Sequence, residues 1–264
     1  MITEADLAQW RPLAPWPTDE QIEQDLVLSR LIIEIANHSL LKEELVFRGG
    51  TCFHKLWLDR PWGYSEDLDY VRTTAGGVGP ILDALREVGE IVGFDVAKTH
   101  VGRHPKIHLD STFMSGSRMR VKVEINTFER SPAVPIVTRP LTVENAWFAG
   151  SADVPTFTLE ELVATKIRAL YQRRKGRDLF DLWLAIEHGG ATPEGIAACF
   201  DPYWPYGWTT TLARENLEAK VEDQRFTTDL EPLVTDWPGG YSIDAGAQAA
   251  SAVLDEIASA EHSN

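Results

Sequence analysis

The sequence predicts an α/β (α+β) chain: a mixed sheet with flanking helices, followed by a helical C-terminal domain. Three observations predict it. A short apolar run at 45–47 ends in Gly49-Gly50 and opens an amphipathic segment, 51–58, which reads as strand, turn and helix. Residues 118–128 alternate, with Met119, Val121, Val123 and Ile125 on one face and Arg120, Lys122, Glu124 and Asn126 on the other. Beyond residue 156 alternation gives way to helical periodicity. The boundary divides the chain into 1–155, an α/β domain with an N-terminal arm and helix, and 156–264, a helical domain.

The elements follow in order. Residues 1–17, with Trp10, Pro12, Trp16 and Pro17, read as an irregular arm. Thr18 or Asp19 caps a helix to about 38, with Ile22, Leu26, Leu31, Ile32 and Ile35 as its apolar stripe. If 67–71 is a strand, Leu68 and Tyr70 face the core while Asp67 and Asp69 share the other face. A helix at 79–92 turns Ile81, Leu82, Leu85, Val88 and Ile91 inward and ends at Gly93. Strands are expected at 94–99 and 106–113, with a hairpin-like turn at Ser115-Gly116-Ser117. Pro132, Pro135, Pro140 and Pro155 mark 131–156 as a linker with one short strand at 135–138. Thr158-Leu159-Glu160-Glu161 fits a capping box opening a helix that runs to near Gly176. A further helix carries Phe180, Leu182, Trp183 and Ile186 to Gly189-Gly190, and Thr192 caps the next, to about 200. Residues 201–208 read as a packed aromatic loop. Helices at 209–222, 228–236 and 244–259 and a frayed tail at 261–264 complete the chain.

Composition bounds the function. Its 264 residues suffice for a substantial core. No apolar run approaches the roughly 20 residues that span a bilayer, and the N-terminus lacks a signal-peptide pattern. Cys52 and Cys199 suggest neither a disulfide framework nor a cysteine zinc site. The cytoplasm is the expected compartment, with no membrane partner. A net charge of −15 argues against non-specific nucleic-acid binding by the whole surface, so any such partner must meet a local basic patch.

The chemistry gathers in the first half. Gly49-Gly50 between strand and helix lets backbone N–H groups approach a phosphate, and the helix N-terminus favours negative charge. Asp67 and Asp69, one pleat apart, form a cradle for a hard divalent cation such as Mg²⁺. Glu124 adds a third acid if its strand pairs beside 67–71. Each feature has a plainer reading: a simple turn, a solvated edge, a Glu balancing Arg120 and Lys122. Together they favour nucleotide chemistry.

Arg48-Gly49-Gly50-Thr51 with Tyr64-Ser65-Glu66-Asp67-Leu68-Asp69 resembles the signature of the AbiEii/AbiGii toxins, nucleotidyltransferase-fold proteins to which the MenT toxins belong. Two departures from the family's usual form stand out: Gly63-Tyr64 replaces Arg-Phe before the serine, and the gap from Gly50 to Asp67 is slightly long. The family's second signature, a helical Lys followed by Arg-Asp-x-x-Asp, matches Lys166 and Arg177-Asp178-Leu179-Phe180-Asp181.

The resemblance implies an enzyme moving an NMP from an NTP to an acceptor, the tRNA 3′ end, with release of pyrophosphate and a block of translation. It implies one or two Mg²⁺ ions on Asp67, Asp69 and Glu124. Nucleotide contacts fall to Arg48, Gly49, Gly50, Thr51, Ser65 and Lys166, with Asp178, or Asp181 one turn on, as the companion acid. A partner antitoxin of the AbiEi kind follows from the same likeness.

Arg168, Arg173, Arg174, Lys175 and Arg177 form the densest basic run, and helical spacing puts Lys166, Arg173 and Arg174 on one face. This patch suits tRNA phosphates, although a solvated face would look the same. Asp178 would also suit a helix N-terminus without any site. A phosphate on Ser65 would set negative charge beside the carboxylates and repel the nucleotide. That agrees with the MenT relatives, while a plain turn hydroxyl is the simpler reading. The rivals are an NTP-binding regulator without transfer activity and a non-enzymatic interaction protein.

Overall fold

A computed structural model describes residues 1–234 and 236–261. Its elements are α1 (Glu4–Trp10), α2 (Asp19–Asn37), α3 (Leu41–Glu44), β1 (Leu45–Arg48), α4 (Gly49–Leu56), β2 (Asp67–Arg72), α5 (Gly79–Val92), β3 (Val96–His100), β4 (Lys106–Thr112), β5 (Arg118–Asn126), β6 (Val137–Glu144) and β7 (Ala149–Thr156). There follow α6 (Leu159–Gln172), α7 (Gly176–Glu187), α8 (Pro193–Ala198), a 3₁₀ turn at Asp201–Tyr203, α9 (Thr210–Val221), α10 (Gln224–Thr227) and α11 (Ile243–Glu261). The chain divides into two compact units. The first is 1–130 with 136–156, and the second is 131–135 with 157–264.

In the first unit one mixed sheet runs β3-β4-β5-β2-β1-β7-β6. The β2–β5 and β1–β7 pairs are parallel, and the other pairs are antiparallel. Alternation sorts the faces. Leu68, Tyr70, Val121, Val123 and Ile125 are buried, and α2 and α5 pack on the sheet. Thr18 caps α2 by accepting the Gln21 N–H. The left-handed Gly93 ends α5.

Five expectations need correction. The N-terminal arm contains a helix, α1, closed by a Thr3–Asp6 capping box. Its Trp10 indole N–H donates to buried Asp25, as does that of Trp16, so what read as loop aromatics are anchors. Residues 131–156 hold two eight-residue strands in place of a linker. The prolines misled: Pro140 lies in the edge strand β6, which has an unladdered side, and Pro155 stands one residue from the end of β7. Ile91 points outward at 58% exposure, because Val88 and Val92 already cover the core side of the last turn.

Two more corrections fall in the second unit. Residues 228–233 form turns where a helix is expected over 228–236, of which residue 235 lies outside the described residues; the short helix is α10, capped by the Asp223 carboxylate. Here α6, α7, α8, α9 and α11 pack on one another. Thr158 caps α6 through the Glu161 N–H, but the Glu161 carboxylate does not reach back. It accepts instead from the Ala133 and Val134 N–H groups and the Tyr203 hydroxyl. That binds 131–135 into this unit. Of the expected tail, residues 262–264 lie outside the described residues.

Candidate active site

Strand register brings the acids of the first unit together. In the parallel β2–β5 pair, Asp69 lies opposite Glu124 and Asp67 opposite Lys122. In the antiparallel β1–β2 pair, Arg48 lies opposite Asp69. All five share the face that Leu68 and Tyr70 turn away from. The Lys122 ammonium stands 2.8 Å from Asp67 and 3.5 Å from Glu124. Burial works against its charge, yet Asp67, Glu124 and Asp69 together hold its pKa above the ordinary lysine value. Asp69 shows the opposite stress. Burial, then repulsion from Asp67 and Glu124, pushes its carboxyl above the usual range, against the pull of Arg48 and Lys122.

Gly49 explains how tightly the cluster is built. Its φ is +85°, and a Cβ there would lie 2.5 Å from an Asp69 carboxylate oxygen. Only glycine allows both the turn and the approach. The chain then enters α4, whose first turn has no side-chain cap from Arg48. The buried Thr51 hydroxyl donates to the Asp67 carbonyl at 2.6 Å and is hydrogen-bonded to the Ser65 hydroxyl at 2.7 Å. Thus the glycine turn, Ser65 and Asp67 are tied to one another. Arg48 is braced from outside the motif: its guanidinium donates to Glu129 at 2.5 Å, and Asn126 donates to the same carboxylate oxygen.

The donor chemistry suits a hard cation, since three carboxylates lie on adjoining strand positions. As arranged, an ammonium already sits between two of them. No group of three potential ligands is close enough to hold an ion among the described residues. Asp67, Asp69 and Glu124 therefore suit a divalent ion by donor type, while Lys122 stands between Asp67 and Glu124 as a competing cation.

In the second unit Lys166 is buried in α6. It donates to Asp181 at 2.6 Å and lies 3.7 Å from Asp178. Arg173 meets Asp178 with two hydrogen bonds, 2.6 and 2.7 Å. The expected shared face of Lys166, Arg173 and Arg174 does not form. Helix α6 stops at Gln172 and Arg173 is extended, so helical spacing no longer applies. Arg174 pairs with Asp223 and Lys175 with Asp229, at 2.9 and 3.0 Å. Arg168 reaches Gln172, and Arg177 is exposed.

Sequence reasoning missed Lys122 and Glu129 as site residues. Lys122 carried a signal, because it alternates with Glu124 on β5. Glu129 carried none, since it lies past the strand and meets Arg48 only through the fold.

Known proteins share this fold. The family described as Nucleotidyl transferase AbiEii toxin, Type IV TA system, matches residues 30–256. Among solved structures, JHP933 from Helicobacter pylori aligns with a TM-score of 0.58 at 14% identity, over 93% of this chain and 97% of that one. MenT4, a nucleotidyltransferase toxin from Mycobacterium tuberculosis H37Rv, aligns with a TM-score of 0.54 at 16% identity, over 98% and 89%. At such identities the likeness is one of fold. No curated protein matches the sequence.

Proposed function

Since the chain belongs to the AbiEii family of nucleotidyltransferase toxins, we propose that it transfers an NMP from an NTP to an RNA 3′ end, that of tRNA, and so blocks translation. The family is that of a toxin–antitoxin system, which implies an antitoxin partner and an NTP substrate; an AbiEi-like antitoxin is part of the proposal. The carrying observation is the register that sets Asp69 against Glu124, with Asp67 one pleat away, beside a glycine turn that only glycine can make.

In this reading Asp67, Asp69 and Glu124 hold one or two Mg²⁺ ions. A bound ion supplies charge neutralisation at the phosphate oxygens. The N–H groups at Gly49, Gly50 and Thr51 receive the triphosphate, and Arg48, steadied by Glu129, adds a cation. The resemblance gives Lys166 a place on the nucleotide phosphates, with Asp178 as companion acid. It would also give Arg168, Arg173, Arg174, Lys175 and Arg177 to the RNA, but Arg173, Arg174 and Lys175 are already paired with Asp178, Asp223 and Asp229, so this reading keeps only Arg168 and Arg177 there. The acceptor hydroxyl forms a new bond to the α-phosphorus as the bond to the pyrophosphate oxygen breaks. Catalysis then consists of positioning and charge stabilisation. Phosphorylation of Ser65 would break its bond to Thr51 and add charge beside Asp67, giving an inactive form.

The test is incubation with Mg²⁺, total tRNA and each α-labelled NTP in turn. Label in the RNA supports the reading, and label in none of the four mixtures contradicts it. One observation favours a second reading. Lys122 already fills the space between Asp67 and Glu124, as would suit a regulator that binds nucleotide without transfer. That regulator would show NTP affinity but release no pyrophosphate.

A further inference from the structure

We propose that the groove beside Asp67 seats the acceptor RNA strand, with Arg118 and Arg120 neutralising its phosphates. This rests on the reading of the chain as a nucleotidyltransferase acting on RNA. The groove has a volume of about 610 Å³, and its lining includes Arg118, Arg120 and Lys122 of β5, His108 of β4, and Gln24 and Tyr64.

Three features suit it to a strand entering the reaction centre. The first is direction. Arg118, Arg120, Lys122 and Glu124 occupy alternate positions of β5, so they stand in a row, about 7 Å from one to the next. The row leads from the carboxylates to the β4–β5 hairpin.

The second is preorganisation. A single buried carboxylate, Asp110, accepts from Arg118 at 2.6 Å and from Arg120 at 2.8 and 3.4 Å. Two guanidiniums are thus fixed for one negative charge, and both stay open to solvent at 56% and 45% side-chain exposure. Guanidinium forks match phosphate oxygens.

The third is the uncharged part of the lining. Gln24 donates to the Arg120 carbonyl and accepts from the Tyr64 hydroxyl, which locks the tyrosine ring in place. Burial, then the charges of Arg120 and Lys106, lowers the His108 pKa, which favours the uncharged ring. Flat uncharged faces beside a row of cations are what unpaired bases and their backbone require. Three acids also line the groove: Asp67, which Lys122 pairs with, Glu20 and Glu66. Glu20 is tied to the Ser115 and Ser117 hydroxyls, and Glu66 is exposed.

The basic run of the second unit contrasts with this row. There Arg173, Arg174 and Lys175 each face a carboxylate of their own.

The experiment titrates a short 5′-labelled single-stranded RNA with the full chain at increasing KCl. On a single strand, each phosphate that the protein no longer neutralises lowers the slope of log K against log salt by about 0.7. The expected result is a slope shallower by roughly 1.4 in R118Q/R120Q, unchanged in R174Q/K175Q, with NTP affinity retained in both. Should the double variant melt early, R118Q alone leaves Arg120 on Asp110, and its slope is expected to fall by about 0.7. A wild-type slope in R118Q, or a change confined to R174Q/K175Q, overturns the inference. If wild type still labels tRNA in that case, the transferase reading survives it. If no RNA is labelled, both fall.

Discussion

In the first unit, Asp67, Asp69 and Glu124 gather three negative charges around one ammonium, and Asp67, Glu124 and Lys122 keep 41%, 29% and 29% of their side-chain surface. In the second, Lys166 and Arg173 meet Asp178 and Asp181 charge for charge, with Lys166, Asp178 and Asp181 at 8%, 0% and 6% and Arg173 at 49%. An open cluster with excess charge gains when an external cation or cationic substrate group arrives. A sealed and balanced one is already satisfied, and its loss falls on stability. The difference separates a cluster with charge to spare from one whose charges are already matched, although both are made of the same residue types.

The largest expected effect attacks the sealed cluster. D178N strips Arg173 and Lys166 of a fully buried partner and should cost about 3–5 kcal/mol in denaturant unfolding. A cost below about 1 kcal/mol would erase the distinction between the two clusters. Next comes G49A. A methyl at φ +85° pressed on Asp69 should destabilise the chain by about 1–3 kcal/mol, and transfer should fall further than stability because the carboxylate is displaced. Equal loss in both would mean that the turn merely folds.

Asp110 sharpens the contrast through pH. Hydrogen bonds from Arg120, then Arg118, hold its carboxyl down at about 2, against burial. A folded pKa below the unfolded 3.8 gives stability that is present above pH 3.8 and drains away as pH falls through about 2. D110N should therefore cost about 1–2 kcal/mol at neutral pH, discounted because both arginines are half in solvent, and nothing once both states are protonated. Asp69, raised by burial, has the reverse sign: its ionisation weakens the fold as pH climbs through the carboxylate range. The smallest effect concerns Lys122. K122M should tighten Mn²⁺ binding, read by paramagnetic resonance, several-fold. Weaker binding would make Lys122 an aid to the ion and not its competitor.

Alternation made β2 and β5 legible, because a period of two leaves no choice about which face Asp67, Asp69 and Glu124 share. What they meet depends on pairing partner and register, which are properties of the whole sheet. Lys122 therefore read as a bystander to Glu124 until its strand was placed beside β2. The glycine turn was visible, but its approach to Asp69 was not, since that approach spans two strands. Prolines hid β6 and β7, whose places near a sheet edge and a strand end tolerate them. The basic run after Gln172 looked like one helical face because nothing local marks the break at Arg173; its acids, Asp223 and Asp229, lie far along the chain.

The central claim is that the Asp67–Asp69–Glu124 cluster is where phosphoryl chemistry occurs and carries no structural duty. D69N, assayed side by side for α-labelled NTP transfer to tRNA and for melting temperature, tests it directly. The account predicts transfer lower by about 10²–10³-fold or more, with a melting temperature equal to or above that of wild type. Transfer near the wild-type level, or a loss of transfer that merely tracks a loss of folding, would contradict it.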